Sequence, residues 1–154
     1  MSEFLLRQAN VQDVDVIVEY NCRLAEESES IQLDPVVLTQ GVAALLEDEK
    51  KGRYFVAERE GRIIGQIMIT YEWSDWRNGP IWWLQSVYVA PDARRQGVFR
   101  QLFGFIENTM EQDSQAVGLR LYVENDNTAA QETYKRLSFQ TSPYHVMQKL
   151  QTPH

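Results

Sequence analysis

The segment Ala90 to Phe103, "APDARRQGVFRQLF", carries the residue types best suited to chemistry. It follows the apolar run "IWWLQSVYV", which reads as a buried strand, and it opens an amphipathic helix. A strand end, an arginine-rich loop and a helix start together build an anion site. The first turn of a helix presents unpaired N–H donors and a partial positive charge. Gly97 has no side chain to hold a ligand off the backbone. The expected guest is a pyrophosphate, held by loop N–H groups beside Arg94, Arg95 and Arg100. A second stretch, "NDNTAAQETYKRLSF", strengthens this reading. Asn127 suits an N-cap, and Ala130 and Tyr134 share a helix face that can look into a cleft beside the strand. Taken alone, Tyr134 is a packed amphipathic aromatic.

These residues need a scaffold, and the rest of the chain supplies its pattern. A first strand fits Phe4 to Gln8. Asn10, with Asp13 three residues on, resembles a capping box, and Val14, Ile17, Val18 and Leu24 recur at helical spacing. Asp34-Pro35 opens a second helix with Val37, Leu38, Val42, Leu45 and Leu46 as its stripe. "RYFVAERE" and "RIIGQIMITY" flank the turn Glu60-Gly61 and form a hairpin. Asn78-Gly79-Pro80 turns the chain into the central strand. A helix from about Gly97 to Met110 places Phe99, Leu102, Phe103 and Ile106 on one face. "GLRLYV" is a strand, Asn127 to Leu137 a helix, and "YHVMQKL" a final strand. The expected fold is α/β (α+β), with a mixed, mostly antiparallel sheet of about six to seven strands and helices on both faces.

A chain of 154 residues suits one domain, 1–154. Its net charge of −7 opposes the basic stripe of a nucleic-acid binder. No apolar run approaches the roughly 20 residues that span a bilayer, and the N-terminus does not read as a secretory signal. Cys22 is the only cysteine, which fits a reducing compartment, and a cytoplasmic location is expected. Two His and one Cys far apart give no metal-site spacing. Gly52, Gly61 and Gly65 read as hairpin punctuation.

On these motifs the chain resembles the GNAT superfamily of N-acetyltransferases, with the element order matching along nearly the whole length. The family's acetyl-CoA motif, Arg/Gln-x-x-Gly-x-Gly/Ala after the central strand, meets Arg94, Gly97 and Phe99 here. Phe99 departs from the usual small residue. The resemblance implies that backbone N–H groups of Arg95, Gln96, Gly97, Val98, Phe99 and Arg100 face the pyrophosphate of coenzyme A. The Phe99 side chain must then turn into the helix–sheet core. The second motif, Asn-x-x-Ala-x-x-x-Tyr-x-x-x-Gly-Phe, meets Asn127, Ala130, Tyr134, Ser138 and Phe139. Ser138 replaces a glycine that would supply a left-handed residue after the helix. The resemblance further implies that Tyr134 protonates the leaving thiolate as general acid. It implies a bulge that splays the central strand from the next one, with pantetheine paired to Val87, Tyr88 and Val89.

One departure concerns the base. Many family members carry a Glu in the central strand where this chain has Gln85, and an amide cannot take up a proton at neutral pH. Either another carboxylate serves, or water carries the proton, or the substrate binds as the free amine. Glu72 is the preferred carboxylate and Asp75 its neighbour, although a strand-end Glu is equally a solvated charge. The segment "TYEWSDWRNGPIWW" also resembles the diamine and polyamine acetyltransferases. Tyr71, Trp73, Trp76, Trp82 and Trp83, with Glu72 and Asp75, could cage a cationic amine, or could fill a core or an interface. Trp82 and Trp83 are adjacent in a strand and so face opposite sides. Glu26, Glu27 and Glu29 follow the first helix, in a region that often overhangs the acceptor. The expected acceptor contacts are Glu27, Trp73, Asp75 and Gln85. The expected activity is acetyl transfer from acetyl-CoA to a small cationic primary amine, without metal, nucleic acid or membrane, by a homodimer. A non-catalytic acyl-CoA-binding module and a protein N-terminal or lysine acetyltransferase are the alternatives.

Overall fold

The computed structural model describes residues 4–113 and 115–151. It opens with β1 (Leu5–Gln8) and a turn closed by Asn10 and Asp13. Asn10 Oδ1 accepts from the Gln12 N–H at 2.9 Å, and Asp13 Oδ2 accepts from the Asn10 N–H at 2.8 Å. This capping box leads into α1 (Val14–Glu29). Asp13 is also held by Arg7, which donates to its two oxygens at 2.8 and 3.0 Å and to Glu58 at 3.0 Å. The Arg7 hydrogen bonds, more than any other cause, hold the Asp13 carboxyl below its usual range.

A carboxyl depressed in the folded state stabilises the fold above its unfolded pKa of about 4 and loses that contribution as pH falls through the folded value. The urea midpoint is therefore expected to drop below about pH 4. In Asp13→Asn the midpoint at pH 7 should fall and its acid dependence should flatten. An unchanged acid limb in that variant would remove Asp13 as its source.

Asp34 caps α2 (Pro35–Leu46) by accepting from the Val36 N–H at 2.9 Å, with Pro35 at the first position. β2 (Arg53–Arg59) and β3 (Arg62–Ser74) are joined by Glu60 and Gly61, both left-handed with φ of 54° and 77°. That pair matches the twist of the flanking strands. β4 (Gly79–Val89), α3 (Val98–Gln112) and β5 (Gly118–Leu121) follow. The sheet order is β1-β2-β3-β4-β5. The first four strands are antiparallel and β4–β5 is parallel, with α3 in the crossover.

Neighbouring residues of β3 show that helices cover both faces. Gln66 Nε2 donates to Asn21 Oδ1 of α1 at 3.2 Å. On the opposite side, a Cβ on Gly65 would meet Val98 Cγ1 of α3 at 2.6 Å. Gly65 is thus a close-approach residue inside β3, and its reading as hairpin punctuation is corrected. The α3 face buries Phe55, Ile67, Ile69, Trp82 and Leu84 with Leu102, Phe103 and Ile106. Val98, not Phe99, is the first core residue of α3, while Phe99 is half-buried beside Phe103 at 6.0 Å.

Two compact units arise, Met1–Tyr122 and Val123–His154. The second contains α4 (Thr128–Arg136), which Asn127 caps by accepting from the Ala130 N–H at 3.0 Å. Ser138 takes the left-handed position after it, φ 73°, and the Phe139 N–H returns to the Tyr134 carbonyl at 3.0 Å. The final strand expected over "YHVMQKL" is not formed, and Tyr144, Val146, Met147 and Leu150 are exposed. Among the described residues the sheet therefore has five strands, below the expected six to seven. Alternation marks a face, but a strand exists only where another strand offers its backbone.

Candidate active site

The loop from Ala90 to Gly97 is shaped by backbone turns and held by side-chain bonds. Pro91–Ala93 form one 3₁₀ turn, and Arg95 and Gly97 are both left-handed, with φ of 66° and 82°. No side chain caps α3, so the N–H groups of its first turn are left to a ligand or to water. The loop is pinned from the β2–β3 hairpin. Arg62 donates to both Asp92 oxygens at 2.8 and 3.0 Å, and Arg59 donates to Gln96 Oε1 at 2.7 Å. Gln96 in turn donates to the Asp92 carbonyl at 3.1 Å.

Arg94 points back across the strand end. Its Nε donates to the Val89 carbonyl at 2.9 Å and its terminal nitrogen to Glu27 at 2.8 Å, with the guanidinium 5.3 Å from the Tyr88 ring centre. Tyr88 donates to the other Glu27 oxygen at 2.6 Å. These bonds, that from Tyr88 first, hold the Glu27 carboxyl below its usual range. Arg94 and Glu27 thus brace the loop against α1. Arg95 and Arg100 are exposed beside it.

β4 itself is opened. Gln66 pairs with Tyr88 and Met68 with Gln85, so Ser86 and Val87 together oppose Ile67. Ser86 is left-handed at this bulge, φ 51°. Gln66 Nε2 donates to the Ser86 carbonyl at 3.0 Å, and Asn21 Nδ2 donates to Tyr54 Oη at 2.9 Å. The parallel ladder with β5 ends at Leu84↔Leu121. Among the described residues, Gln85 to Val89 have no strand partner on that side. Val87, Tyr88 and Val89 therefore line a splayed edge that leads into the loop.

In the second unit, Tyr134 is half-buried and meets Phe139 edge-to-face at 5.7 Å. Burial raises its phenol pKa, so it stays protonated across the neutral range.

The sequence matches the acetyltransferase (GNAT) family over residues 18–139. The chain belongs to the GNAT acetyltransferase family. It is an acyltransferase of that family's α+β fold. A solved structure of a possible acetyltransferase from Clostridium difficile 630 is 46% identical, with a TM-score of 0.90, covering 98% of this chain and 99% of that one. A predicted acetyltransferase with acetyl-CoA from Clostridium acetobutylicum shares the fold at 18% identity, with a TM-score of 0.78 and 96% of each chain covered. So does a ribosomal-protein-alanine N-acetyltransferase from Brucella melitensis biovar Abortus 2308, at 13% identity and a TM-score of 0.78, covering 96% of this chain and 99% of that one. Curated proteins yield no match.

Within this GNAT chain the residues expected as base and acceptor contacts lie on different faces and at different ends of the sheet. Gln85 donates to Thr70 Oγ1 at 2.6 Å on the α1 face of the sheet. Glu72 lies on that face too, and it is engaged. Trp83 Nε1 donates to it at 2.9 Å and Arg120 at 3.0 Å, while Trp83 stacks on Tyr122 at 4.5 Å. The Trp83 hydrogen bond, then Arg120, holds the Glu72 carboxyl below its usual range. Tyr71 and Trp82 pack together on the opposite face, at 5.9 Å. Trp73 and Trp76 are exposed at the β3–β4 hairpin, 63% and 87%, beside Asp75. Glu27 meets Tyr88 at the other end of β4, eight residues from the Pro80 that pairs with Trp73, or about 26 Å along a strand. The five aromatics and the acidic residues therefore do not form one cage. A strand alternates its faces and separates its ends, which a list of nearby residue types does not express.

Asn21, Tyr54, Gln66 and Ser86 were not singled out in the sequence, yet they form the buried polar network at the bulge. Gln66 Oε1 is buried without a partner among the described residues. A glutamine in the middle of the apolar run "RIIGQIMITY" was the available signal. No helix among the described residues is long and apolar enough to cross a membrane.

Proposed function

We propose that this chain transfers the acetyl group of acetyl-CoA to a primary amine by direct attack in a ternary complex. The observation that carries the reading is the splayed edge of β4 running into the uncapped start of α3. The first offers backbone groups to an extended pantetheine arm and the second offers N–H donors to a pyrophosphate. The amine lone pair attacks the thioester carbonyl carbon, whose oxygen a β4 N–H can polarise. The C–S bond then breaks, the leaving thiolate takes the proton of Tyr134, and the surplus proton on the new amide nitrogen returns to that phenolate through water. Holding both reactants supplies much of the rate.

Gln85 takes no proton, and Glu72 is held in its charged form by Trp83 and Arg120. We therefore assign the ammonium proton to water and Glu72 to orienting its two partners. Glu72→Gln is expected to change kcat by less than about threefold, against the 100-fold or greater loss that removing a general base brings. A loss of that larger size would make Glu72 the base.

The experiment that tests the function is release of free CoA from acetyl-CoA over a panel of amines, aminoglycosides, amino acids and peptides. Release with any amine supports transfer, and release with peptides alone would make the acceptor a protein. Gln85 favours one second reading, an acyl-CoA-binding module without turnover. Acetyl-CoA binding with no release from any amine supports that module. The proposal extends to one domain over 1–154, acting as a cytoplasmic homodimer, and sedimentation tests the assembly.

A further inference from the structure

A cavity of about 360 Å³ lies between α1, α2 and the sheet, within the range of small-molecule sites. Its walls are Leu24, Leu33, Leu38, Leu45 and Met68, and Asn21, Tyr54 and Ser86 give it a polar end. Ser86 is the bulge residue of β4, so the cavity opens beside the splayed edge. Among the described residues, Glu29 is the only charged one in its lining. Beyond the one ammonium that Glu29 can meet, each further ammonium group of a polyamine would face leucine walls without a carboxylate, which is unfavourable. A single amine with an apolar body meets both the polar end and the walls.

Gly41 adds an independent observation. It sits inside α2 and lines this cavity. A Cβ built on it meets nothing within 4 Å. Glycine is among the least favourable residues in a helix interior, and no close packing calls for it here. What its missing side chain does is leave room at the cavity.

Resting on the amine-acetylation reading, we propose that the acceptor is a primary monoamine with a compact, uncharged alkyl or aryl substituent seated against these leucines. Gly41 is then the specificity-determining residue that keeps the seat open. The overall exchange is balanced: the amine nitrogen gains the acetyl carbon, the thioester C–S bond breaks, and of the two protons the ammonium nitrogen loses, one leaves to solvent and one replaces the proton that Tyr134 gives to the CoA sulfur.

CoA release is to be compared for phenethylamine and isopentylamine, for putrescine and spermidine, and for a lysine peptide. The apolar monoamines should lead in kcat/KM by roughly tenfold or more. Gly41→Leu should raise the KM for the monoamine by roughly tenfold or more, and Gly41→Ala by a smaller step. The KM for acetyl-CoA should stay within about twofold, and neither variant should melt lower than the parent. A preference for polyamines or peptides, or an unchanged amine KM in both variants, would overturn this assignment while leaving acetyl transfer intact. No CoA release from any amine would overturn the acetylation reading and this one with it.

Discussion

Tyr134→Phe should lower kcat by about 100- to 10,000-fold, the range that positioned proton transfer supplies, while acetyl-CoA binding stays nearly unchanged. The substitution removes one hydroxyl and keeps the ring. The edge-to-face contact with Phe139 at 5.7 Å survives it, and so does the α4 cap made by Asn127. The melting temperature should therefore move little, which separates a chemical role from a packing role. The pH dependence gives a second readout. A general acid must be protonated, and burial raises the Tyr134 pKa above the ordinary tyrosine value of 10.0. Turnover of the parent should hold across neutral pH and decline only as pH rises through that raised value. Equal kcat in the two proteins, under conditions where chemistry limits the rate, would exclude Tyr134 as the acid.

Gly65→Ala should destabilise the fold by about 1–3 kcal/mol, the usual cost of overpacking. The new methyl would lie 2.6 Å from Val98 Cγ1 and 3.3 Å from Leu102 Cδ1. Val98 is β-branched, buried, and the first residue of α3, so it has few rotamers to escape into. Relief must come from a shift of the helix start, which is also the end of the anion loop. Acetyl-CoA binding should therefore weaken along with stability. The compensating change is Val98→Ala. Each single variant loses stability, one by crowding and one by a cavity, and the double variant should recover much of the loss. Urea unfolding of all four proteins measures the coupling. Additive losses would show that the Gly65–Val98 approach does not set the packing of α3.

Much of the site could be read from local pattern. Gly97 before an amphipathic helix, Asn127 before α4, and Asn10 with Asp13 before α1 act through bonds within a few residues of themselves. Their structural roles follow from residue type and spacing. Ser138 is similar, since it takes the left-handed position that closes α4 through local bonds, its N–H to the Lys135 carbonyl and that of Phe139 to the Tyr134 carbonyl. The two GNAT motifs were legible because both are short and local. The strand at "YHVMQKL" was misread because alternation says nothing about a partner strand. For the aromatic and acidic segment the sequence left cage, core and interface open, and what it could not show is that Glu27 and the β3–β4 hairpin lie at opposite ends of β4.

The sequence by itself determined the helix starts, the β2–β3 turn, the arginine-rich loop and the family, whereas α1 runs on through Glu29, past the end expected for it. Each of the former depends on interactions among residues close in the chain. Only the tertiary structure decided that Arg94 braces Glu27 and that Arg120 and Trp83 occupy Glu72. It also decided that Gln66 supports the bulge at Ser86, that Gly65 admits α3, and that Gly41 borders a cavity. These partners are separated by 11 to 67 residues, as for Trp83–Glu72 and Arg94–Glu27. Which of them meet is set by strand register and by the face each residue occupies. A one-residue change in register would turn the strand residues among them, such as Gln66, Glu72 and Trp83, to the other face.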